Sequence, residues 1–313
     1  MSQFCNIVAQ SFPGKPTYST EEIPDLSGKV MIVTGGNTGI GKETIKALLT
    51  HNAKVYMAAR SKSKAEAAIQ DLKDQTGKES LFLELDLSNL ASVRKSAEEY
   101  LSKEKELNVL FNNAGLMFPP LDQITADGYD IQFGTNVLGP FLFTKLLIPT
   151  LIAGSQSSSD HKSRIITTSS QGHYFYNLNW DTFVDGPTRK NMTTENLYYQ
   201  SKFANVVIAR ELAQRYGEQG IVSISVNPGN IKTDLQRHVS DCKNKLANAL
   251  HLLSPTEYGA LTQLYAGTAV ETAEANGKYF MPWAKEGEPN KAALDPQTGE
   301  RLWGWCEEQV KKF

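Results

Sequence analysis

The sequence predicts an α/β fold, a doubly wound parallel sheet with helices on both faces, and three observations carry that expectation. Short β-rich runs recur along the chain, longer segments with helical spacing separate them, and the runs are almost continuously apolar, as strands covered on both faces must be. In order they are "KVMIVTGG", "AKVYMAAR", "SLFLELDLS", "NVLFNNAG", "RIITTSS", "IVSISVNPG" and "GKYFMP". In the connection after the second run, Ala65, Ala68, Ile69 and Leu72 share one helical face, Lys62, Glu66 and Lys73 lie elsewhere around the axis, and Gly77 supplies a stop. The most apolar stretch, "VLGPFLFTKLLIPTLIA", is interrupted by Pro140, Lys145 and Pro149 and reads as a buried or interface helix. Residues 1–28, rich in Ser, Thr and Pro, are expected to form an N-terminal arm. Residues 29–282 hold the alternation as one domain, and residues 283–313, with Trp283, Trp303 and Trp305, are expected to be a C-terminal extension packed on the surface.

Of 313 residues, 40% are hydrophobic and 21% charged, the balance of a soluble globular chain. The net charge of -2 gives no diffuse positive field, which argues against nucleic acid and anionic lipid as partners and leaves any anion to a local site. Cys5, Cys242 and Cys306 lie far apart without a CxxC pair, and the histidines show no ligand spacing, so no metal site is expected. The start, "MSQFCNIVAQSFPGKP", shows neither a basic opening nor a long apolar run. No membrane anchor and a cytoplasmic location are therefore expected.

The first strand runs into "TGGNTGIGKE", where Gly35, Gly39 and Gly41 separate a strand from a helix. Glycines allow a tight turn and close backbone approach, and the N–H groups opening the helix, here around Asn37, Thr38 and Ile40, attract an anion such as a pyrophosphate. A dinucleotide fits this place. A cofactor with a free ribose hydroxyl would meet an Asp or Glu about 20 residues on, but the second strand ends in "YMAAR". Arg60, with Lys62 or Lys64 beside it, instead suits the 2′-phosphate of NADP(H). Asp86 and Leu87 end the third strand where adenine would lie. Asn112, Asn113, Ala114 and Gly115 end the fourth, near the pyrophosphate and nicotinamide ribose, although these residue types also stabilise turns by themselves.

In "NLYYQSKFAN", residues four apart share a helix face, so Tyr198 and Lys202 project together while Tyr199 points elsewhere and packs. A phenol titrates near about 10; a neighbouring ammonium is expected to lower Tyr198 toward the working range of a general acid or base.

Together these motifs resemble the short-chain dehydrogenase/reductase family: TGxxxGxG at 34–41, NNAG at 112–115, YxxxK at 198–202 and "NPGNIKT" at 227–233, over about residues 28–282. The resemblance implies one Rossmann-type domain and a catalytic set of Asn136 in "GTNVLGPF", Ser170 in "TTSSQG", Tyr198 and Lys202, with Ser169 the local rival to Ser170. It implies that Tyr198 gives a proton to a carbonyl oxygen, that Ser170 hydrogen-bonds that oxygen, that Lys202 also holds the nicotinamide ribose, and that Asn136 positions a water. Pro228, Gly229, Ile231 and Thr233 would shape the nicotinamide site. Relatives often assemble through the helices carrying Asn136 and Tyr198, so a homo-oligomer is one expectation.

The long stretch between Ser170 and Tyr198, the "YMAAR" end and the arm resemble the retinol-dehydrogenase-like and WW-domain-oxidoreductase-like branch. Leu116, Met117, Phe118, His173, Tyr174, Phe175, Trp180 and a lid near 230–253 are candidates for an apolar substrate pocket, or equally for core. The expected activity is reduction of an apolar or aromatic ketone or aldehyde with NADPH, reversible as an alcohol dehydrogenase. The alternatives are a retinoid or steroid dehydrogenase and a nonenzymatic NADP-binding sensor or scaffold.

Overall fold

The computed structural model describes residues 3–233, 235–236 and 253–313. The strands are β1 (Val30–Thr34), β2 (Lys54–Ala59), β3 (Leu81–Glu84), β4 (Val109–Asn112), β5 (Ser163–Thr168), β6 (Ile221–Val226), β7 (Tyr279–Met281) and β8 (Lys285–Gly287). They form one sheet in the order β3-β2-β1-β4-β5-β6-β7-β8. All pairings are parallel except β7 with β8, a short hairpin that the sequence pattern did not announce. The chain moves outward from β1 to β3 and then returns to the other side of β1, so β1 and β4 flank a switch point. A crevice opens there at the carboxyl ends of the strands.

Burial explains the apolar strands. On β1, Ile32 joins a core beneath α4 (Leu90–Lys103), α5 (Ile131–Ser157), α6 (Thr194–Tyr216) and α8 (Pro296–Val310). Its neighbours Met31 and Val33 point the other way, into a core beneath α2 (Gly39–Thr50), α3 (Lys62–Thr76) and α7 (Thr256–Thr268). Alternate residues thus enter opposite cores, and each such side chain contributes roughly 1.5–3 kcal/mol on burial. In α3 the predicted face Ala65, Ala68, Ile69 and Leu72 is buried, and Gly77 ends the helix at φ 71°. Helix α5 is long and apolar enough to cross a membrane, yet 72% of its apolar window is buried inside this fold, as a core helix requires.

The two ends of the chain are more structured than an arm and a surface extension suggest. Helix α1 (Gln3–Ser11) packs beside the turn at Gln171–Tyr174. Helix α8 lies on α6, with Leu302, Trp303 and Cys306 buried and Arg215 stacked on Trp303 at 4.5 Å. The segment between β5 and α6 is anchored by Arg189, only 1% exposed. It donates to Asp130, Asp185 and the carbonyls of Leu121 and Gln123, which satisfies a buried guanidinium that would otherwise be costly.

Candidate active site

The glycine turn is built on Thr34, the last residue of β1. Its Oγ1 accepts from the backbone N–H groups of Asn113 and Ala114, each at 3.0 Å, and the Asn113 amide donates to its carbonyl at 2.8 Å. These bonds fuse the ends of β1 and β4. Gly35 has φ 68°, and a Cβ on Gly41 would stand 2.5 Å from the Gly35 carbonyl oxygen. Only glycine allows the turn to fold this tightly onto the start of α2. A tight glycine turn whose backbone faces a helix N-terminus is the geometry a pyrophosphate needs, so these residues fit a dinucleotide.

A cleft of about 330 Å³ runs from this turn to α6. Gly35, Asn37, Thr38, Gly39, Ile40 and Gly41 line one end, with Asn113, Ala114 and Gly115 along a side. Ser170, Tyr198, Lys202, Pro228, Gly229, Ile231 and Thr233 line the other end. A second recess at the ends of β2 and β3 holds Arg60, Asp86 and Leu87. A third, over the start of α3, holds Arg60 and Lys64 together with Ser61 and Lys42. Lys62 turns away to Glu66 at 3.8 Å. Asn112 also points elsewhere, donating to Thr144 Oγ1 at 2.9 Å. Lys42, Ser61 and Asn230 were not singled out by the sequence motifs; the position of Lys42 immediately after Gly41 was the available signal.

At the α6 end, Tyr198 is 4% exposed and lines the cleft with Ser170, whose Oγ accepts from the Gly172 N–H at 3.1 Å. Lys202 Nζ lies 5.7 Å from the Tyr198 ring centroid and donates to the Thr168 carbonyl at 2.9 Å. The rival Ser169 is committed to the Lys202 carbonyl at 2.7 Å. Tyr199 sits against Phe175 and Phe118. The backbone of Gly115 passes between the functional groups, since a Cβ there would lie 3.4 Å from Lys202 Nζ and 3.5 Å from Asn136 Oδ1.

Three features depart from the sequence expectations. Burial pushes the Tyr198 hydroxyl up to about 12, with the neighbouring Ser170 side chain opposing it, and pushes Lys202 down to about 8. Desolvation of both groups outweighs the expected lowering of the phenol by the ammonium. Asn136 lies in a π-helical turn, Gly134–Leu138, and its side chain is spent on protein. Its amide donates to the Leu116 carbonyl at 3.0 Å and Ser201 Oγ at 2.9 Å, while its oxygen accepts from Leu116 N–H at 2.8 Å. That side chain holds the chain just beyond β4 against α5 and α6. Finally, several pocket candidates lie outside the cleft. His173 is fully buried, its Nδ1 2.6 Å from the Ser170 carbonyl oxygen; Tyr174 is bonded to the Glu288 carbonyl; Trp180 stacks beneath Arg301 at 4.0 Å. Met117 lines the cleft and Phe118 meets Tyr198 edge-on at 5.2 Å, while most of the lid at 230–253 lies outside the described residues.

Fold and site together define a nicotinamide-dependent oxidoreductase class, and comparison with known proteins agrees. Residues 29–181 match the short chain dehydrogenase family model. A short-chain dehydrogenase/reductase of Armillaria gallica is 53% identical over 313 residues, covering 100% of both chains. One from Emericella nidulans is 40% identical, covering 96% of this chain and 99% of its own, and an uncharacterised oxidoreductase of Schizosaccharomyces pombe is 36% identical, covering 90% and 84%. A crystal structure of an uncharacterised protein from Mycobacterium paratuberculosis superposes with a TM-score of 0.75 at 26% identity, covering 94% of this chain and 97% of that one. The chain belongs to the short-chain dehydrogenase/reductase family.

Proposed function

We propose that this chain is an NADPH-dependent carbonyl reductase, reversible as an alcohol dehydrogenase, for an apolar or aromatic ketone or aldehyde. The observation that carries the reading is that Ser170, Tyr198 and Lys202 converge at one end of the cleft whose other end is the glycine cradle. NADPH, when bound, supplies the hydride.

The protein's own groups handle the proton and the developing charge. With its hydroxyl up at about 12, Tyr198 is protonated at neutral pH, the form a donor to a carbonyl oxygen must have. Ser170, which lines the same end of the cleft as Tyr198, donates to the same oxygen as negative charge grows on it. Lys202, fixed by the Thr168 carbonyl, supplies further N–H donors for ribose hydroxyls and a positive charge that favours the tyrosinate left after transfer. Asn136 and Asn113 act as positioning residues, the first on Leu116 and the second on Thr34. The edge of Phe118 over Tyr198 and the presence of Met117 favour an apolar substrate.

Preference for NADPH rests on Arg60 and Lys64 in one recess with no carboxylate at the end of β2. The fold alone leaves this open. An NADP complex of RhlG from Pseudomonas aeruginosa superposes with a TM-score of 0.66 at 22% identity, covering 86% of this chain and 97% of that one. A 3-ketoacyl-(acyl-carrier-protein) reductase from Brucella melitensis in complex with NADH superposes at 0.64 and 23%, covering 82% and 96%. The test is a carbonyl panel assayed with each cofactor, with Arg60→Ala alongside. Losing a charge-assisted bond worth about 1.5–3 kcal/mol should raise KM for NADPH roughly 10- to 100-fold and leave NADH unaffected. A wild type that prefers NADH contradicts the assignment.

A further inference from the structure

We infer that α1 braces the active-site cleft from behind its lining, and that Gln10 and Gln171 are positioning residues that hold the serine turn and the Pro228–Gly229 turn in fixed relation. The inference rests on the proposed roles of Ser170 and the Pro-Gly turn.

Helix α1 is oriented with amides inward. Gln3 donates to the Tyr174 carbonyl at 3.0 Å, Asn6 to the Glu288 carbonyl at 3.3 Å, and Gln10 to the Tyr174 hydroxyl at 3.1 Å. Phe4, Val8 and Phe12 are left exposed. A helix that leaves Phe4 and Val8 to water and buries Gln10 to 2% exposure is held by specific polar bonds more than by area.

Gln10 is the junction. Its oxygen accepts from Asn227 Nδ2 at 2.8 Å and from the Tyr279 hydroxyl at 2.6 Å, while its nitrogen serves Tyr174. Asn227 Oδ1 in turn accepts from Gly229 N–H at 3.0 Å, so one amide ties α1 to the residue that caps the Pro-Gly turn. From the other side, Gln171, next to Ser170, donates to the Ile7 carbonyl at 2.6 Å and to Ser11 Oγ at 2.8 Å. Behind the helix, Trp283 Nε1 donates to the Gly14 carbonyl at 3.0 Å, and a Cβ on Gly229 would meet the Trp283 ring at 2.9 Å. Ser170 and Gly229 both line the cleft. α1 therefore links two stretches of its wall that are far apart in sequence. A reacting group displaced by about 1 Å loses roughly 100-fold in rate, which makes this linkage relevant to turnover.

The experiment compares the full-length wild type with Gln10→Met and Gln171→Met, measuring amide hydrogen exchange together with kcat and KM. Gln10→Met strands two buried donors; Gln171 is only half-buried, so its variant keeps the test alive if the first does not fold. Faster exchange is expected at 169–175 in both variants, and also at 226–231 in Gln10→Met, with protection at 30–45 unchanged. In Gln10→Met, kcat should fall at least tenfold while KM for NADPH stays within threefold; Gln171→Met should lose kcat at least threefold. Unchanged exchange in those turns, or faster exchange with unchanged kcat, overturns the inference. A wild type that reduces no carbonyl sinks the proposed reaction instead, and exchange alone then decides whether α1 couples the two turns.

Discussion

Gly41→Ala sets two effects against each other, and the structure says which wins. In the first turn of α2, alanine should gain at most about 1 kcal/mol over glycine in helix propensity. The new Cβ would stand 2.5 Å from the Gly35 carbonyl oxygen and 2.6 Å from Asn113 Nδ2. Neither can retreat freely: one is backbone at φ 68°, and the other is held 2.8 Å from the Thr34 carbonyl. Overpacking of this kind costs about 1–3 kcal/mol, so the net change should be destabilising by roughly 1 kcal/mol and the melting temperature should fall by about 2 °C. Binding suffers more, because the displaced turn is the proposed phosphate cradle. Losing one charge-assisted bond of about 1.5–3 kcal/mol weakens NADPH roughly 10- to 100-fold. Fluorescence titration with NADPH and a thermal melt read the two quantities. An unchanged Kd with an equal or higher melting temperature would refute the reasoning, since propensity would then have prevailed and the turn would not be the cradle.

Two predictions concern pH. Lys202, pushed down to about 8 by burial, carries its charge below that value and loses it above, so kcat/KM for NADPH, which reports the free enzyme, should fall as pH rises through about 8. A profile flat from pH 6.5 to 9.5 counts against that role. His173 is held neutral by burial, down from an ordinary 6.5 to about 4, so the unfolded chain binds the extra proton between these values. Its contribution is present in full above 6.5 and is lost as pH falls toward 4, up to about 3 kcal/mol. In urea melts the stability gap between wild type and His173→Gln should shrink from pH 7 to pH 4.5; a constant gap would show that burial of His173 does not set the acid response.

The sheet was legible because its strands are buried on both faces, leaving near-continuous runs such as "VMIVT" that only a covered parallel sheet tolerates. The glycine turn was legible because Gly35, Gly39 and Gly41 meet a steric demand local to the chain. Tyr198 and Lys202 were legible through helical spacing. What spacing could not convey was desolvation: both groups are buried, and burial moves the phenol and the ammonium against their mutual attraction. Helix α1 was hidden because its inward face is Gln3, Asn6 and Gln10, a pattern that reads as solvent-facing until Asn227 and Tyr279 arrive from more than 200 residues away. Asn136 was found by its motif, but its commitment to Leu116 depends on a π-helical turn that propensity does not register.

The central claim is that the Tyr198 hydroxyl delivers the proton. Single-turnover reduction of a carbonyl substrate by preloaded NADPH, in wild type and Tyr198→Phe, tests it most directly. The variant should lose about 100- to 10,000-fold in rate while binding NADPH within about twofold of wild type, since ring and packing are kept and only the acid is removed. A variant that reduces the substrate at the wild-type rate would contradict the account.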